Sequence, residues 1–138
     1  MPRTVTNYSA GIRFIADVDS MDALAGGCTL NIAAFTDAKF GAAGQRYIPA
    51  GTAVKLDGNG LGVPADATGP AYITASDVLE NGFFLRGSDT TTGLYVGGVV
   101  YQDRLFDADN TGALPAPIKA ALGVKFTYQT SPGVLTAF

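Results

Sequence analysis

The chain has 138 residues, a net charge of −3, 47% apolar residues and only 15% charged ones. That length suits one domain with a real core, and the composition excludes disorder, which needs low hydrophobicity and high charge. No apolar run reaches the length of a membrane span, and the nine basic residues are too thinly spread to form a nucleic-acid patch.

Of the twelve acidic residues eleven are Asp, the exception being Glu80. Glu suits helix interiors, whereas Asp suits turns and caps. Eighteen glycines and seven prolines point the same way, to strands and turns with little helix. The one cysteine, Cys28, allows no intrachain disulfide and reads as a buried structural thiol in a reducing compartment. The N-terminus MPRTVTNYSAGIRF lacks the apolar stretch of a signal peptide, so synthesis in the cytoplasm without export is expected.

The chain order begins with a polar stretch, residues 1–11, in which Thr4 and Thr6 alternate with Val5. It reads either as an extended arm that pairs with a partner or as a frayed terminus. Ile12, Phe14 and Ala16 alternate with Arg13 and Asp17, the mark of a strand over 12–18. MDALAGG (21–27) is expected to hold a helical turn ended by its glycines. CTLNIAAF (28–35) aligns Cys28, Leu30, Ile32 and Ala34 on one face of a second strand, and residues 36–46 read as a loop.

AVKLDGNGLGV (53–63) predicts a β-hairpin. Val54 and Leu56 are expected inward, Asp57–Gly60 make the turn, and Pro49 and Pro64 punctuate the ends. AYITASDVL (71–79) is a strand entering a bend, FFLRG (83–87) a short apolar segment and SDTTTG (88–93) a polar loop. LYVGGVVYQDRL (94–105) is a long strand whose Gly97–Gly98 pair predicts a bulge or a close backbone contact. Leu114, Ile118, Ala121 and Leu122 share one face of a short helix at about 115–122. Its prolines are confined to the first turn and Gly123 terminates it. VKFTY (124–128) is the closing strand. The fold expected is mainly β (α+β): an arm over 1–11 and a single small β-rich domain over 12–138.

The chemical inventory argues against an enzyme. With no histidine, the commonest general base and metal ligand is missing, and Cys28 has no imidazole to activate it. Asp17, Asp19 and Asp22, like Asp103, Asp107 and Asp109, could in principle supply paired carboxylates. They read more simply as turn and surface residues. DADNTG (107–112) opens like a calcium loop, but Ile118 stands where a bidentate glutamate is required. No catalytic, metal or cofactor site is therefore expected.

The order of these motifs, PAGTAVKLDGNGLGVPAD, AYITASDVL, GLYVGGVVYQDRL with its Arg104–Leu105 pair, LPAPIKAALG and VKFTY, resembles the tailed-phage head decoration proteins, the lambda D-like capsid-stabilising family. The likeness covers residues 47–128. It implies a structural virion protein on the outer surface of the capsid, a homotrimer that binds major capsid protein through strand addition by its N-terminal arm. Thr4, Val5, Thr6, Tyr8, Ile12 and Phe14 would be the capsid contacts, and Phe83 and Phe84 are expected at a subunit interface or in the core. The alternatives are another phage component (tail-tube, head–tail joining or head-fibre base protein), a ligand-binding β-module and, last, a carboxylate hydrolase.

Overall fold

A computed structural model describes residues 14–80, 91–108 and 112–130. They form one mostly β domain around a six-stranded sheet. Its strands are β1 (Ile15–Thr29), β3 (Ala53–Leu56), β4 (Gly62–Pro64), β5 (Ala71–Thr74), β7 (Thr91–Tyr101) and β8 (Phe126–Gln129). The order is β1-β7-β5-β3-β4, all antiparallel, while β8 lies parallel to the second half of β7. A two-stranded ribbon of β2 (Tyr47–Ile48) and β6 (Val78–Leu79) stands apart. Among the described residues the single α-helix, α1, runs Ala116–Leu122.

Alternation along β5 shows why the sheet carries two cores. Ala71 and Ile73 pack with Phe14, Val100, Leu122 and Phe126 on one face; Tyr72 between them joins the opposite cluster of Leu30, Phe35, Phe40, Ile48, Val54 and Leu94. On β7, Leu94 serves the second core, yet Tyr95 and Val100 both serve the first. Residues five apart share a face only if one residue is skipped. Register supplies the skip, because Asp22 pairs with Gly97 and Ala23 with Tyr95, leaving Val96 as a bulge.

The glycine pair sits beside that bulge and meets both neighbours. A Cβ at Gly97 would stand 3.0 Å from Lys125 Cβ, and one at Gly98, whose φ is +140°, would collide with Met21. Close approach is thus the reason for Gly97–Gly98. The hairpin and helix also form as expected. Asp57 holds the hairpin turn: its backbone carbonyl accepts from Gly60 N–H (3.0 Å) and its Oδ1 from Asn59 and Leu61 N–H (2.8 and 3.0 Å). Pro115 caps α1, Ala121 and Leu122 are buried along with Leu114 just before the cap, and Gly123 ends the helix at φ +82°.

Several expectations are corrected. Residues 21–27 are strand, not a helical turn, because Asp22, Ala23 and Leu24 pair with β7. The 28–35 strand stops at Thr29, and a 3-10 turn at Ile32–Ala34 tucks Ile32 inward. Residues 91–93 belong to β7 rather than to a loop, and β7 gives way at Gln102–Arg104 to another 3-10 turn. Leu56 points outward at 36% exposure, at the solvent end of the hairpin, while Ala53 and Val54 are buried.

Candidate interaction surfaces and the polar nodes behind them

Of the residues expected to meet a capsid, Thr4, Val5, Thr6, Tyr8 and Ile12 lie outside the described residues, as do the interface candidates Phe83 and Phe84. Phe14 is described, and it is a core residue: 1% exposed, edge-on to Tyr95 at 6.2 Å between centroids. Its ring lies so close to Gly51 that a Cβ there would be 3.0 Å away, and Gly51 holds φ +92°. A ring so enclosed cannot meet a partner. Phe14 instead fixes the point where residues 1–13 join the domain.

The corner at Pro49–Ala53 gathers most of the buried polarity. Thr52 and Thr74 are fully buried, and both hydroxyls donate to the Pro49 carbonyl (2.6 and 3.1 Å), while Thr74 Oγ1 accepts from Thr52 N–H. Asp77 Oδ1 accepts from Ala50 N–H at 2.8 Å. Asp107 reaches the same corner from far along the chain. Its Oδ2 accepts from Ala53 N–H at 2.6 Å, and its Oδ1 pairs with Lys39 Nζ at 2.9 Å. Lys39 in turn sits 5.3 Å from the ring centroids of both Phe40 and Phe106. Asp107, which a calcium-loop reading would make a ligand, is a clamp joining β3 to the 38–40 turn.

Glu80 plays a similar part on the ribbon. Its Oε1 accepts from the Gly44 and Arg46 N–H groups (2.9 and 3.1 Å), and Oε2 pairs with Arg46 at 3.2 Å. At the sheet edge Asp17 Oδ1 accepts from Asp19 N–H, and Ser20 Oγ donates to the Asp17 carbonyl (2.7 Å) while accepting from Val99 N–H (2.9 Å). Asp17 and Asp19 thus form a turn, as expected, within a detour of β1 between the pairs Asp17–Val99 and Asp22–Gly97.

A groove of about 450 Å³ runs between Ala34–Phe40 on one side and Pro64–Asp66, Pro115 and Ile118 on the other. Its size is that of a small-ligand site, but its charged groups are committed. Asp37 accepts from Lys39 N–H at 3.1 Å, Lys39 and Asp107 pair, and Asp66 pairs with Lys55 at 2.7 Å. The Lys55 ammonium, then the Thr68 hydroxyl and N–H, hold the Asp66 carboxyl well below the usual carboxylate range. A group so firmly ionised is unsuited to general-acid work. Cys28 is buried beside Gly62, and burial pushes its thiol up, away from nucleophilic thiolate.

Among the described residues no group of three or more Cys, Asp or Glu is placed to hold a metal ion, and no helix is long and apolar enough to cross a membrane. The half-buried aspartates that clamp the corner, Asp77 and Asp107, were not singled out as such in the sequence. Their partners are 27 and 54 residues away, and no local pattern marks so distant an amide. Comparison with protein-family profiles, with characterised proteins and with solved structures gives no match to this chain.

Proposed function

We propose that this chain is a structural virion protein that decorates and braces the outside of a phage head. In this reading it acts as a homotrimer, binds major capsid protein, and adds a strand through residues 1–11. The observation that carries the reading is the ordered run of motifs over residues 47–128: hairpin, glycine-paired strand, Arg104–Leu105, proline-started helix and closing strand. Two features of the described residues support it. Asp57, Asp77, Asp107 and Glu80 each hold a turn or a strand end by accepting backbone N–H groups, a use that suits a brace. Phe14, locked in the core, gives the preceding segment a fixed point of departure.

Strand addition draws affinity from main-chain hydrogen bonds and specificity from alternate side chains, which the Thr4–Val5–Thr6 pattern could supply. Ordering such an arm costs about 1–2 kcal/mol per residue, offset by many copies acting on one shell. The test is deletion of residues 2–11 followed by co-sedimentation with expanded phage heads that lack the protein. Binding is expected to disappear, while circular dichroism and the melting temperature stay unchanged because Phe14 remains. Undiminished binding would sink the arm assignment. A ring of six or more copies, rather than three, would move the protein to the tail-tube or head–tail joining class.

A further inference from the structure

The two most exposed large apolar side chains among the described residues are Val124, at 99%, and Val18, at 76%. A lone exposed valine is ordinary, but these two are related by the sheet. Both stand at the Gly97–Gly98 step of β7. On one edge the detour of β1 brings Met21 onto Gly98 and carries Val18 outward. On the other, Lys125 packs on Gly97 and its carbonyl accepts the Gly98 N–H at 3.1 Å. At this level the sheet is three strands wide, β1–β7–β8, so the valines mark its two opposite edges.

Neither turn is loose. Ser20 bonds the detour to Asp17 and to Val99, and the Gly123 N–H closes the helix on Lys119 at 3.2 Å just before Val124. The charges beside the valines are opposite: exposed Asp17, Asp19 and Asp22 on the detour, exposed Lys125 next to Val124. Among the described residues, Asp19, Asp22 and Lys125 take part in no ion pair.

We infer that these edges are the two halves of one contact between copies of this chain, with Val18 and Asp19 of one copy against Val124 and Lys125 of the next. The occupant is a second copy because the chain itself carries both complementary halves. Halves on opposite edges make a head-to-tail contact, which closes into a ring or continues as a filament according to the rotation per step. The detour keeps β1 from extending its ladder across the junction, so the side chains carry the contact.

The inference needs only the two turns and does not depend on the capsid reading. The experiment is the mass of the full chain by sedimentation across concentration, against a monomer of 14.1 kDa. The wild type is expected to run as a multimer. Val18→Asp and Val124→Asp should each return it to monomer with an unchanged circular dichroism spectrum, since both side chains are in water. Asp19→Lys and Lys125→Asp should each weaken association about 10-fold, and the two together should restore it by exchanging the charges. A wild type that is monomeric throughout, a mass that ignores the valine changes, or a double exchange that restores nothing overturns the contact. Head binding, measured separately, reports on the capsid reading.

Discussion

The Pro49–Ala53 corner and the Asp17–Met21 detour use one device under opposite conditions. In both, a side-chain oxygen stands in for a backbone partner: Asp107 accepts from Ala53 N–H, and Ser20 accepts from Val99 N–H. In the corner the amide belongs to Ala53, which is 4% exposed and sits beside the fully buried Thr52 and Thr74. At the detour the turn stands in solvent, and water can take over. The same bond is therefore worth more inside than outside, because the cost of an unmade bond is set by the desolvation of the group left behind.

The comparison breaks most visibly at Asp107. Asp107→Ala strands a buried amide and leaves Lys39 without its carboxylate, so a loss of about 2–3 kcal/mol is expected in urea unfolding. Ser20→Ala should cost only about 1 kcal/mol by the same measurement. Equal losses at the two sites would undo the distinction. Tyr128→Phe sharpens it from the other side. The Tyr128 hydroxyl is buried without a hydrogen-bond partner among the described residues, so its removal should leave stability at neutral pH within about 0.5 kcal/mol of wild type, or slightly above.

Tyr128 also has a pH signature. Burial pushes its phenol from 10.0 up to about 12. The folded state thus keeps a proton that the unfolded chain releases above the ordinary phenol range. This contribution is whole below about pH 10 and is lost as pH rises towards about 12. An alkaline titration of stability should be flatter in Tyr128→Phe than in the wild type; identical slopes would show that burial there is not the cause.

Local chemistry made part of the fold legible. Asp57–Gly60 spell a turn, the prolines and Gly123 bound α1, and Gly97–Gly98 announce a close approach that Lys125 and Met21 then supply. Long-range pairing hid the rest. MDALAGG has helix-friendly residues, yet β7 claims its backbone, and tertiary pairing overrides propensity. Phe14 alternated with Ile12 and Ala16 in the strand expected over 12–18, but a residue that alternates can face inward as well as outward, and Gly51 leaves the space that receives it. The polar corner was least legible of all, since Asp107 and Ala53 lie 54 residues apart and no local pattern joins them.

The skip at Val96 has a further consequence. It divides β7 into two segments in different phases: before it Leu94 and Tyr95 face the two cores in turn, and after it Val100 returns to the face of Tyr95. The same seam receives the detour of β1 on one side and the approach to β8 on the other. Both neighbours thus meet β7 at the peptide units where the strand changes phase.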